Sequence, residues 1–152
     1  MATIRYATED DLDAIDAMGS KFIAYTSYGA LLNPEQGEVK AALKNVLDNG
    51  AIFVADKGGV PVGFLAALIC PAWFSPTTKM AIELAWWVDE EHRTGTAAMR
   101  LMFMYEQWAR ENGATFICMS DLVINGQTPL GNMLERMDYR MTERTFIKDT
   151  SQ

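Results

Sequence analysis

At 152 residues, 49% hydrophobic and 22% charged, the chain has the balance of one globular domain large enough to bury a substantial core. Its net charge of −7 argues against nucleic-acid binding, which needs a basic face, and weakly favours cationic partners. No apolar run is long enough to cross a bilayer, and the opening MATIRYATEDD has no signal-peptide core, so a cytoplasmic protein with no membrane partner is expected. One His and two separated cysteines argue against a structural metal site, and Cys70 and Cys118 read as buried free thiols.

The chain contains no linker, repeat or low-complexity segment, and one domain over residues 1–152 is expected. Thr3 to Ala7 alternates like a short strand. Thr8 followed by Asp11 resembles a capping box before a helix carrying Leu12, Ile15, Met18 and Phe22. Asn33-Pro34-Glu35 predicts the start of a second helix, with stripe Val39, Leu43, Val46 and Leu47 and a stop at Asn49-Gly50. Residues 51–55 and 60–69 predict two strands around Asp56-Lys57-Gly58-Gly59, a hairpin signal. Cys70 to Lys79 reads as a loop with two prolines, and Met80 to Val88 as a central strand. A long helix follows over about Thr94 to Asn112, its stripe formed by Ala98, Leu101, Met102, Tyr105, Trp108 and Ala109, with Gly113 as its stop. Thr115 to Met119 predicts a strand, Gln127 to Met137 a short helix, and Tyr139 to Lys148 a last strand.

The stretch Glu83 to Gly113 concentrates the chemistry. An apolar strand ends in charge, a short turn holds Arg93 and Gly95, and an amphipathic helix begins. The first N–H groups of a helix have no acceptor within it, and its dipole adds positive potential, so such a turn can hold phosphate. Thr94 as a plain helix cap is the simpler alternative. Glu83 is the only charge between Met80 and Val88. A carboxylate in such a strand either faces a cavity or carries a raised pKa, both of which suit a general base, or else it faces solvent or pairs with Arg or Lys.

This order of elements, with the phosphate-type turn after the fourth strand, resembles the GNAT family of N-acetyltransferases. The family motif is Gln/Arg-x-x-Gly-x-Gly/Ala after a strand ending in Val-x-Pro. The matching positions here read Val88-Asp89-Glu90 and then Arg93-Thr94-Gly95-Thr96-Ala97-Ala98. Arg93 and Ala98 fit; Thr96 stands at the first motif glycine, and Glu90 at the proline. A second motif, Asn-x-x-Ala-x-x-x-Tyr-x-x-x-Gly-Phe, resembles Gln127 to Tyr139, with Leu134 at the tyrosine and Asp138-Tyr139 at Gly-Phe. The runs ELAWWV, WARENGA and ERMDYR are most similar to small acetyltransferases of the phage type.

The resemblance covers the whole chain and implies an α/β (α+β) fold: a mixed, mostly antiparallel central sheet flanked by helices in the order β-α-α-β-β-β-α-β-α-β. It implies acetyl-CoA as co-substrate and transfer of acetyl to a primary amine by direct attack in a ternary complex. The acceptor would be an amine-bearing small molecule or a protein amino group, and a homodimer would be in keeping with relatives. Arg93, Thr94, Gly95, Thr96, Ala97 and Ala98 would hold the pyrophosphate. Trp86, Trp87 and Val88 would offer backbone groups to the pantetheine arm, although the two indoles also suit a core. Glu83 would be the base, and Tyr139 (or Tyr105, which sits on the core stripe) would replace the acid absent at Leu134. Tyr25, Tyr28, Trp73 and Phe74 would either shape the acceptor pocket or cover the core edge, and Asp121 and Asn125 would contact CoA or acceptor. A second possibility is a degenerate module of this fold, for CoA binding or protein interaction, without catalysis.

Overall fold

The computed structural model describes residues 1–151. The chain divides into two compact units, one comprising Met1–Phe22 and Pro34–Ser120, the other Ile23–Asn33 and the residues from Asp121 onward.

The first unit is built on a five-stranded sheet whose spatial order follows the sequence, β1 (Thr3–Tyr6), β2 (Ala51–Lys57), β3 (Val60–Ala72), β4 (Ser75–Val88) and β5 (Phe116–Cys118). The first three pairings are antiparallel and the last is parallel, so the sheet is mixed and mostly antiparallel, as expected. One face packs on α3 (Ala97–Glu111) through Phe53, Leu65, Leu101, Tyr105 and Trp108. The other packs on α1 (Leu12–Tyr25) and α2 (Glu38–Asn49) through Ile15, Met18, Val46, Ile52, Val54 and Phe64. Central strands β2 and β3 are therefore buried on both sides, which explains their near-continuous apolar sequence.

Asp56 organises one corner. Its Oδ1 accepts the Gly59 N–H at 2.6 Å across the Gly58-Gly59 turn, where both glycines take positive φ. Its Oδ2 accepts from Arg5, whose guanidinium also makes two hydrogen bonds to Asp11 at 2.8 and 2.9 Å. Asp11 in turn accepts the Thr8 N–H at 2.8 Å, which is the carboxylate half of the expected capping box.

Four expectations need correction. Helix α2 starts at Glu38 rather than at Pro34, because Gly37 holds φ +91°, outside helical space, and Glu38 reaches back to the Glu35 N–H at 2.7 Å. The expected loop Cys70 to Lys79 is instead the end of a long hairpin, with strands running through Pro71↔Lys79 to a tight turn at Trp73-Phe74. Pro71 lies beyond the last β2–β3 pair at Ala67, and Pro76 falls among the residues that the register shift between Pro71↔Lys79 and Ala72↔Ser75 leaves without a partner, where a missing donor is tolerated. The cysteines are free but half-buried rather than buried.

The fourth correction concerns the second unit. Its helix α4 is Gly131–Arg136, shorter than expected, and the residues expected to form a last strand, Tyr139 to Lys148, take no regular secondary structure. Asp138 ends α4 at φ +65°, with its N–H on the Glu135 carbonyl (3.1 Å) and the Tyr139 N–H on the Leu134 carbonyl (3.0 Å), a Schellman termination. The position that holds glycine in the related motif thus keeps glycine's conformation with an Asp side chain. Asp138→Val should cost about 1–2 kcal/mol, because a branched Cβ resists that region, and Asp138→Gly should cost nothing or stabilise slightly; chemical denaturation compares them. Asn125-Gly126 (φ 51° and 76°) closes a tight turn between bridged Ile124 and Gln127, a hairpin signal not recognised from the sequence.

Candidate active site

The site is set by where β4 loses its neighbour. Parallel pairing with β5 covers only Met80↔Phe116, Ala81↔Ile117 and Ile82↔Cys118. From Glu83 to Val88 no strand among the described residues pairs with that side of β4, so a strip of its main chain has no strand partner there. At the same place β4 carries a bulge. Ala67 faces Glu83 and Ala66 faces Ala85, leaving Leu84 as an extra, exposed residue outside the ladder. No Gly or Pro marks this bulge in the sequence, so nothing there could have announced it.

Glu83 sits at the head of the strip with only 7% exposure. Its Oε2 accepts the backbone N–H of Ser120, just beyond β5, at 3.2 Å. Burial pushes its carboxyl up to about 7, opposed only partly by that hydrogen bond. Of the two sequence alternatives, the buried carboxylate with a raised pKa is the one the structure shows. A group titrating near neutrality takes and gives up protons at working pH. The backbone facing Glu83 is tied to α3, since the Tyr105 hydroxyl donates to the Cys118 carbonyl at 2.8 Å.

Further along β4 the two indoles part. Trp87 packs against the α1 and α2 side and its N–H donates to Asp89 at 3.0 Å, which also takes Lys21 at 2.9 Å. Trp86 packs on the α3 side. After Val88 a short 3-10 turn, Glu90–His92, leads into the exposed residues Arg93 to Thr96. Helix α3 begins at Ala97, not Thr94, with Thr96 at its cap position. Its first internal bond runs from the Arg100 N–H to Thr96 C=O at 3.0 Å, so the N–H groups of Ala97, Ala98 and Met99 have no acceptor inside the helix. Arg93 buttresses the turn: its Nε donates to the Val88 carbonyl at 2.8 Å and its guanidinium lies 4.4 Å from the Trp87 ring centre.

Trp73 and Phe74 form the hairpin tip of the first unit, edge to face at 5.6 Å and well exposed. Tyr25, Tyr28 and Tyr139 belong to the second unit, where Tyr25 is exposed and Tyr28 and Tyr139 are half-buried. Leu134 is buried there as an apolar residue. Asn125 serves the tight turn, and Asp121 accepts the Leu130 N–H at 2.9 Å at the start of α4, so both have structural work within their own unit.

The site thus combines a bulge beside the end of the β4–β5 pairing, a buried carboxylate at that point and a helix N-terminus beyond it. The family model described as Acetyltransferase (GNAT) family matches residues 22–139, and the chain belongs to that family. Solved structures agree on the fold. A transcriptional regulator from Bacillus halodurans C-125 is 19% identical with a TM-score of 0.77, covering 98% of this chain and 99% of its own. The aminoglycoside N-acetyltransferase AAC(6')-Iy, in complex with the bisubstrate analog CoA-S-monomethyl-acetylneamine, is 15% identical with a TM-score of 0.77, covering 100% and 99%. A predicted acetyltransferase from Clostridium acetobutylicum, solved with acetyl-CoA, is 14% identical with a TM-score of 0.73, covering 98% and 96%. No curated protein sequence matches this chain significantly.

Proposed function

We propose that this protein is an acetyl-CoA-dependent N-acetyltransferase, a single catalytic domain that transfers acetyl directly to a primary amine in a ternary complex. The observation carrying this reading is Glu83: a buried carboxylate, pushed up to about 7, at the point where β4 leaves β5. There it accepts the proton that an ammonium acceptor must lose before its nitrogen attacks. The new C–N bond forms as the C–S bond of the thioester breaks, and CoA leaves as a thiolate that takes up a proton, with Tyr139 as the proposed donor. The extra residue in the β4 bulge interrupts the ladder beside Glu83, and backbone N–H groups there suit polarisation of the acetyl carbonyl.

The residues fit the co-substrate. The open strip from Glu83 to Val88 suits an arm that carries amides, and the turn from Arg93 to Ala98, ending in the free N–H groups of α3, suits a pyrophosphate. Tyr25, Tyr28, Trp73 and Phe74 remain proposed acceptor-binding residues. The acceptor is an amine, in keeping with the aminoglycoside substrate named for the structural neighbour, and is either a small molecule or a protein amino group. A cytoplasmic site of action, a homodimer and membership of the phage-type subgroup belong to this proposal and rest on the sequence.

A second reading has its own observation. Leu134 is buried and apolar where related enzymes carry a tyrosine, and Thr96 adds a Cβ where they carry glycine. This favours a module that binds CoA, or only a protein, without chemistry. Calorimetric titration with acetyl-CoA, followed by thiol release across a panel of primary amines, separates the readings. Saturable binding with amine-dependent release is the expected result. Binding without release would select the module, and the absence of binding would remove both CoA readings.

A further inference from the structure

Two adjacent indoles on β4 differ in one respect that bears on ligand binding. The Trp87 N–H has its acceptor in Asp89. Nε1 of Trp86 is shielded from solvent and has no hydrogen-bond partner, the one buried side-chain nitrogen or oxygen in that condition among the described residues. An indole N–H can only donate, and burying it without an acceptor carries a desolvation penalty that nothing in the protein offsets. Such a group in a native fold calls for a physical reason, and a missing ligand is one.

Its position narrows what that ligand must offer. Glu83 faces Ala67 and Trp86 faces Leu65 across the β3–β4 ladder, with Leu84 bulged out between them. Ala67 and Leu65 belong to the same buried cluster, so Glu83 and Trp86 are neighbours on one face, about 7 Å apart along the strand. A carboxylate so close disfavours an anionic acceptor at Trp86 and favours a neutral one. In order along the chain, Trp86 lies between Glu83, where the acyl group would react, and the turn at Arg93 to Ala98, where phosphates would sit. It also lies on the stretch of β4 that no strand covers.

We infer that Trp86 is a positioning residue whose indole N–H donates a hydrogen bond to a carbonyl oxygen of an acyl-pantetheine arm laid along β4. The inference rests on the acetyl-CoA reading above and adds to it a side-chain contact that strand-edge pairing alone does not provide. The carbonyl belongs either to a pantetheine amide or to the thioester, and the ligands used in the test tell these apart.

The test replaces Trp86 with Phe and, by site-specific incorporation, with β-(3-benzothienyl)alanine, which keeps the ring shape and substitutes sulfur for N–H. Affinities for CoA, acetyl-CoA and adenosine 3′,5′-bisphosphate are measured by calorimetry, with thermal unfolding of the ligand-free proteins as the fold control. The wild-type protein must first bind CoA; if it does not, the acetyl-CoA reading itself fails. Given that binding, the benzothienyl protein should unfold at or above the wild-type midpoint and lose about tenfold in acetyl-CoA affinity, the worth of one hydrogen bond, with no change toward the nucleotide fragment. Equal losses for CoA and acetyl-CoA assign the amide, and a loss confined to acetyl-CoA assigns the thioester. Wild-type affinity for both pantetheine ligands in the benzothienyl protein, or an equal loss toward the fragment, overturns the inference. The Phe variant should share the affinity loss.

Discussion

Glu83→Gln should lower turnover by about 10²–10³-fold while leaving CoA affinity within about twofold, because Gln keeps the acceptor for Ser120 but takes no proton. The wild-type kcat/KM should rise with pH through about 7, where the carboxyl ionises, and the variant should lose that limb. Unchanged turnover in the variant would remove Glu83 as the base. A second readout runs in the opposite direction. The folded carboxyl is raised above its unfolded value of 4.5, so its contribution to stability is fully present below pH 4.5 and is lost as pH rises through about 7. The wild-type protein should therefore give up about 3 kcal/mol between pH 4 and pH 8 on this account, and Glu83→Gln should not. At pH 8 the variant should be the more stable protein even after its amide N–H groups meet an imperfect site, a result that denaturant titration at the two pH values resolves. Lost activity with gained alkaline stability is the signature of a residue kept for chemistry.

Asp11→Ala should show the reverse pH dependence. Hydrogen bonds from Arg5, helped by the Thr8 N–H and against the cost of burial, hold this carboxyl down at about 2. A depressed folded value means that the stabilisation is present above the unfolded value of 3.8 and disappears as pH falls through about 2. Its side chain is 8% exposed but Arg5 is 35% exposed, so solvent weakens the pair, and about 2 kcal/mol is the expected loss at pH 7. For a chain of this size that is a fall of about 4–8 °C in the unfolding midpoint, shrinking toward zero near pH 2. A deficit that persists undiminished at pH 2 would show that Asp11 acts through packing rather than charge. The Arg5–Asp11–Asp56 cluster pins the N-terminal strand to the β2–β3 turn, away from Glu83, so CoA binding should be unaffected.

The contrast between these residues shows what was legible in the sequence. Glu83 stood out because one charge interrupts nine strand residues, and burial did the rest. Asp11 was legible as a capping-box residue and Asp56 as part of a turn, but nothing in a linear pattern says that these two and Arg5 share a corner. The Gly58-Gly59 turn was plain from residue types that accept positive φ, whereas the Trp73-Phe74 turn was not, because two prolines and two aromatics usually mark a loop. The early end of β2–β3 pairing and the register shift beside the turn accommodate those prolines. The α3 stripe was read correctly from Ala98 to Ala109, but its first turn was placed three residues early, since Thr94 and Thr96 are equally good caps in isolation. The last expected strand failed for a different reason. A strand needs a partner edge, and the described structure pairs this segment with none.

The order of the sheet also governs how this protein folds. Strands β3 and β4 are consecutive and joined by a two-residue turn, so the ladder that bears Glu83, Trp86 and the bulge closes at small entropic cost. By contrast β1 reaches β2 only across two helices, and β5 reaches β4 only across α3. Local pairings form fastest, so this hairpin and the equally local β2–β3 hairpin should pair before β1 and β5 join the sheet. Substitutions in the hairpin should slow refolding, whereas those at β5 should chiefly hasten unfolding. The outer edge of β4, where Glu83 sits, should then be among the last parts of the sheet to meet a partner strand.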